Sequence, residues 1–216
     1  MEYLKAFGGK GRRVMASVQD GSTRESIAED CRAAALSFMS GSAAGWDKLD
    51  LALWLTGPYA RATRHAPHGE RVAAGAEQAE EISDRAVDDL ITNVRVQLLA
   101  FLENVALSPA TLELTDDARE RRLVHEVLDA DGRLAWIPVD VARMRLRDRL
   151  RSLFRADYLN APYAYAELFV CHRCEGVVFD AHAKRSGICG AHRVSGEAPR
   201  SDQAMAVDPR AIIGAR

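Results

Sequence analysis

The densest chemistry in the chain lies where Cys171-His172-Arg173-Cys174 is followed, after fourteen intervening residues, by Cys189-Gly190-Ala191-His192. The spacing is Cys-x2-Cys-x14-Cys-x2-His. Two residues between ligands let a tight turn aim both side chains at one ion. Three thiolates and one imidazole then complete a closed tetrahedron suited to Zn2+. Glu175-Gly176 and Gly190 are placed to let the backbone turn at each pair, and Val177 to Ile188 is long enough for a small hairpin. Cys171, Cys174, Cys189 and His192 are therefore the candidate ligands of a structural ion. His172 and His182 compete with His192 for the fourth position.

Cys171 and Cys174 alone could form a redox pair. Such a dithiol normally opens a helix in a parallel βαβ setting, which this sequence does not show, and it leaves Cys189-x-x-His192 unexplained. A water-bearing zinc of the deaminase kind needs a His-x-Glu before the cysteine pair, and that is missing. Over residues 168–194 the pattern resembles the zinc-ribbon class of small metal modules. The resemblance implies an ion that substitutes for a core too small to hold itself together.

Charge singles out the same region. Residues 141–193 hold ten Lys or Arg against five Asp or Glu, whereas the whole chain has 29 against 31 and a formal net charge of −2. A general polyanion binder is usually plainly basic, so any nucleic-acid surface must be local. Arg147, Arg151, Arg173 and Arg185 are candidate contacts to an anionic partner, with Tyr163, Tyr165 and Phe169 interleaved for stacking on an unpaired base. The alternative is that the arginines pair with the acidic stretch 77–89 of the same chain or of a second copy.

The elements that must position these residues read as mainly helical. Thr23 with Ser26 starts a helix whose apolar face is Ile27, Cys31, Ala34, Ala35 and Phe38, and Gly41 can end it. A second helix spans 43–56, with Trp46, Leu49, Leu53 and Trp54 on one side and Gly57-Pro58 as its stop. The longest helical signal, 69–107, carries the stripe Val87, Ile91, Val94, Leu98, Phe101 and Val105. That stripe faces a neighbouring helix or an oligomer partner. Asp129-Ala130-Asp131-Gly132 between apolar runs predicts a β-hairpin near 124–139. Asp140 then caps an arginine-rich helix to about Arg155.

The domain reading is a flexible basic, Gly-rich arm (1–22, with a short strand at Val14–Val18), a helical domain (23–160), a zinc-ribbon-like module (161–194) and a tail (195–216). The fold class is a helical bundle with a small hairpin and that C-terminal module. At 216 residues with 48% hydrophobic and 28% charged residues, the composition is that of an ordinary folded chain. Neither a secretory signal nor a membrane-spanning run is expected, and four cysteines are too few for a secreted disulfide scaffold. A cytoplasmic location with reduced thiolates follows.

No nucleophile elbow, His-Glu-x-x-His, dinucleotide fingerprint or phosphate loop occurs, and no catalytic residue is assigned. The expectation is a zinc-stabilised, non-enzymatic binding protein that contacts a nucleic acid or an acidic partner. The alternatives are an adaptor subunit or homo-oligomer joined through the 87–105 stripe, and an enzyme without a recognisable motif.

Overall fold

A computed structural model describes residues 16–18, 20–66, 84–112, 123–140 and 144–192. Helix α1 (Arg24–Ala43) opens on a reciprocal cap. Thr23 N donates to Ser26 Oγ at 3.0 Å, and Ser26 N donates to Thr23 Oγ1 at 3.3 Å. Serine thus does what glutamate does in the commoner capping box. The predicted apolar face is buried as expected, with Ala28 and Met39 added.

Gly41 does not end α1. The helix runs on to Ala43, and Gly41 lies against the Trp46 indole, where an added Cβ would come within 1.8 Å of Cε2. Its role is close approach, and the left-handed turn residue is Gly45, at φ 85°.

Gly57-Pro58 does not stop the second helix either. Helix α2 (Lys48–Trp54) continues through a π-helical turn, Leu55–Tyr59, into α3 (Ala60–Ala62). The wider turn takes in Pro58, which has no N–H to donate. Trp54 and Tyr59 are buried, but Leu49 and Leu53 are 66% and 60% exposed. Only one side of this short helix meets α1, so the expected broad apolar face is half spent.

Helix α4 (Asp84–Leu107) is the described part of the long helical signal; residues 69–83 lie outside the described residues. Val87, Ile91, Val94, Leu98, Leu102 and Val105 are all buried in the main core, and Phe101 packs at its margin. The stripe is therefore spent within the chain. By length and average composition Arg85–Leu107 is apolar enough to cross a membrane, as the core helix of a soluble protein can also be. Asp88, Asp89, Arg95 and Glu103 interrupt every consecutive run but leave the average apolar.

Strands β1 (Val124–Leu128) and β2 (Leu134–Pro138) form the predicted hairpin, in register from Val124↔Pro138 to Leu128↔Leu134. Its turn closes on the buried Asp129 carboxylate, which accepts from the backbone N–H groups of Arg24, Asp131 and Arg133. Ser17 makes a parallel bridge to Leu128, and Arg64 pairs with Asp20, so the end of the expected 1–22 arm is held down. Residues 1–15 and 193–216, including the predicted tail, lie outside the described residues.

Helix α5 (Leu146–Asn160) is the central element, packed against α1, the hairpin and α4. It starts later than predicted and its N-cap is Arg145; Asp140 is instead the ion partner of Arg149. Arg149 and Arg155 are buried, because a helix surrounded on several sides has no solvated face wide enough for all its arginines. At its end, Asn160 exchanges two hydrogen bonds with the backbone of Trp136, and Arg24 donates to Leu159 O and Asn160 O.

Candidate metal centre

The chain leaves α5 through a 3-10 segment, Pro162–Glu167, and enters strand β3 (Leu168–Val170), which pairs with β4 (Val177–Phe179). The first cysteine pair sits on the knuckle between these strands. Cys171 N donates to Gly176 O at 2.9 Å and Glu175 N to Cys171 O at 2.8 Å. Glu175 takes the left-handed conformation, at φ 54°. A Cβ at Gly176 would lie 3.1 Å from Cys174 Sγ, a tight contact.

The second pair arrives differently from the sequence expectation. The linking segment supplies β4 and then helix α6 (Ala181–Ser186), rather than a hairpin of its own. Asp180 caps α6 by accepting from His182 N and Ala183 N, and Gly187 ends it at φ 70°. A 3-10 turn, Gly190–His192, then brings the His192 ring back over Cys189, with His192 N donating to Cys189 O at 2.9 Å. Gly190 has no positive φ and meets nothing within 4 Å, so the turn does not depend on it as predicted.

These folds bring Cys171, Cys174 and Cys189 Sγ and one His192 ring nitrogen within 4.8 Å of one another. Cys174 Sγ lies 3.7 Å from Cys189 Sγ, and Cys189 Sγ lies 3.1 Å from His192 Nδ1. Around Zn2+ with Zn–S bonds of about 2.3 Å, a tetrahedral sulfur–sulfur edge is about 3.8 Å. The donor set and its spacing suit that ion. His172 and His182, both exposed, lie outside the four-residue group; the His172 ring stands edge-on to Phe169.

Burial pushes the Cys171 thiol up, but backbone N–H groups of Cys189, Arg173 and Cys174 outweigh it and bring its pKa down to about 6. Burial and the neighbouring Cys171 and Cys189 sulfurs raise that of Cys174. Cys189 N points at Cys171 Sγ from 3.4 Å. The backbone thus favours a thiolate at the most buried position before any cation is considered.

The candidate anion contacts divide. Arg173 and Arg185 are exposed on the metal lobe. Arg147 is half-buried and donates to Gln97 Oε1 at 3.1 Å, while the Arg151 guanidinium lies 4.9 Å over the Phe101 ring. Of the three aromatic residues, Tyr163 is 75% exposed, but Phe169 is buried and Tyr165 is fully buried. The Tyr165 hydroxyl donates to the Asp157 carboxylate or the Phe154 carbonyl, each 2.9 Å away. The local basic excess is therefore in good part internal.

Two contacts tie the lobe to α4, and neither was visible in the sequence. Arg95 Nη1 lies 2.8 Å from Glu175 Oε2, and Lys184 Nζ donates to Ala106 O at 3.2 Å and Ala166 O at 2.9 Å. Roughly eighty residues separate Arg95 from Glu175 and Ala106 from Lys184 in the chain, and no local pattern marks them. Protein-family models, curated proteins and solved structures were compared with the chain, and none matches it.

Proposed function

We propose that this chain is a zinc-stabilised binding protein whose metal lobe, ribbon-like in its first half, presents Arg173 and Arg185 to single-stranded nucleic acid. The convergence of four protein donors carries the reading, since a complete tetrahedron holds an ion without leaving a position for a reacting water. Cys171, Cys174, Cys189 and His192 hold the zinc. The ion fixes the knuckle to the segment after α6; exposed Arg173 rides on the knuckle and exposed Arg185 on α6 itself. Exposed Tyr163 stands at the approach to β3 and supplies the stacking face. Thiolate ligands call for a reducing compartment, which the cytoplasm provides.

The test has two arms. Protein purified without added metal should carry one zinc per chain by elemental analysis; a metal-free folded protein would overturn the reading. Fluorescence anisotropy with a labelled single-stranded RNA should then show binding that Arg173→Gln with Arg185→Gln abolishes. Two phosphate contacts weaken it about sevenfold between about 50 and 200 mM salt. Binding insensitive to salt or to the double variant would remove the nucleic-acid assignment.

A second reading, an adaptor subunit, no longer has the 87–105 stripe to offer. It rests instead on Leu49 and Leu53, one turn apart and exposed on α2. Light scattering of the wild type against Leu53→Glu tests it: an assembly that falls to monomers without unfolding supports the adaptor, and a monomeric wild type removes it as a homo-oligomer.

A further inference from the structure

The four ligands of the metal centre are not equally sheltered. Cys171 is fully buried and Cys189 is 7% exposed, whereas Cys174 is only partly covered. Cys174 Sγ and Cys189 Sγ, a pair that includes the open cysteine, are 3.7 Å apart. Cys171 Sγ is engaged from the side by Cys189 N. A disulfide needs its sulfurs at about 2.05 Å, so one arm must move by less than about 2 Å. The second arm can supply that movement, because Cys189 lies between Gly187 and Gly190, and Gly190 has open space around it.

We propose that Cys174 and Cys189 are an oxidative modification site, at which a peroxide converts the pair to a disulfide and expels the metal. The proposal rests on the zinc reading above. In the first step the Cys174 thiolate attacks one oxygen of hydrogen peroxide. The O–O bond breaks, a sulfenic acid forms on Cys174 and hydroxide leaves. In the second step the Cys189 thiolate attacks that sulfur, the S–S bond forms and a second hydroxide leaves. Two thiolates have then given two electrons, the peroxide has been reduced to two hydroxides, and both take protons from solvent. Only Cys171 and His192 remain as donors, and Zn2+ dissociates. The lobe carrying Arg173 and Arg185 loses its clamp, so oxidation switches the binding surface off.

Cys31 provides an internal control. It lies on α1, fully buried within the main core, and burial keeps its thiol protonated. The experiment uses the full-length, reduced protein with its zinc content measured first. About one equivalent of hydrogen peroxide is added, released zinc is read with a chromogenic zinc chelator, and cross-links are mapped by mass spectrometry after alkylation. The expected result is release of about one zinc per chain, a Cys174–Cys189 disulfide, alkylated Cys31 and Cys171, and full recovery with dithiothreitol plus zinc. A zinc-loaded protein that keeps its metal, or that links Cys171 to Cys174, would overturn this proposal and leave the zinc reading standing. A protein with no zinc at the outset overturns both.

Discussion

Arg95 in the middle of α4 reaches Glu175 on the metal knuckle, Nη1 to Oε2 at 2.8 Å, and so grips the lobe at its most strained backbone position. Glu175 is the only non-glycine residue with positive φ among the described residues. Its side chain is 60% exposed and that of Arg95 16%, so solvent screens the pair and holds its worth below about 1 kcal/mol. The left-handed conformation costs a non-glycine residue about 1 kcal/mol relative to glycine. The two effects are of similar size and opposite sign.

Substitution at this position separates them. Glu175→Ala loses the ion pair and keeps the strain, so it should destabilise the metal-loaded protein. Glu175→Gly loses the pair and relieves the strain, so it should unfold about 1 kcal/mol later than the alanine variant. Urea denaturation of both proteins checks the order. Equal stabilities would mean that the knuckle imposes no backbone strain.

Gly41→Ala should destabilise the protein although alanine is the better helix former. The helix propensity gain is about 1 kcal/mol, but the new Cβ would meet the Trp46 ring at 1.8 Å from Cε2. Overpacking of that kind costs about 1–3 kcal/mol. Urea midpoints should fall for Gly41→Ala and recover in Gly41→Ala combined with Trp46→Ala, measured against Trp46→Ala alone.

The arginines of α5 should differ sharply in consequence. Arg149 and Asp140 side chains are 7% and 11% exposed, and the Tyr59 hydroxyl bonds to both. Arg149→Met leaves a buried carboxylate without its cation, a loss of about 3–5 kcal/mol. Arg149→Met with Asp140→Asn should recover part of it. Arg147→Met, at the half-exposed neighbour, should cost under about 1 kcal/mol. Thermal melts of the three variants give the ranking.

These contrasts show what the sequence made legible and what it hid. Caps, the hairpin and the ligand spacing are local: Thr23 and Ser26, Asp129 to Gly132, and the two Cys-x2 pairs each carry their own geometry within a few residues. Gly41 and Gly57-Pro58 were misread because their meaning lies in a partner, the Trp46 ring in one case and the widened helical turn in the other. The burial of Arg149 and Arg155 was not legible, because an amphipathic pattern shows which side is apolar, not how many neighbours surround a helix. The Arg95–Glu175 and Lys184–Ala106 contacts depend on the tertiary fold alone.

The hairpin turn should give a distinct acid limb. Burial raises the Asp129 carboxyl, but the backbone N–H groups of Arg133, Arg24 and Asp131 outweigh it and hold it below its ordinary value of 3.8. A carboxylate with a lowered folded pKa adds stability that is complete above the unfolded value. That stability is lost as pH falls through 3.8 toward the folded value. Asp129→Asn should therefore be less stable than wild type at pH 7, and the gap should narrow below about pH 4. Urea midpoints across that range measure it. A gap that stays constant would show that the charge of Asp129 is irrelevant and that only its acceptor oxygens count.

Removing the metal should loosen one part of the molecule and spare the rest. The lobe's own buried cluster is Phe169, Cys171, Ala183 and Cys189, so Phe169 is its single large apolar side chain. Without an ion, little hydrophobic burial opposes the chain entropy of some twenty residues, at about 1–2 kcal/mol each for the backbone. Strand β3 has another anchor, because Leu168 and Val170 belong to the main core with α1, α4 and α5. Hydrogen exchange after chelation should thus lose protection at the amides of Cys171, Glu175, Cys189 and His192, which bond only within the knuckle and the second arm. The amides of α1, α4 and α5 should keep theirs. Protection lost evenly through the helices would mean that the lobe and the body unfold as one unit, with Arg95 and Lys184 transmitting the loss; protection unchanged in the lobe would mean that its fold does not depend on a cation.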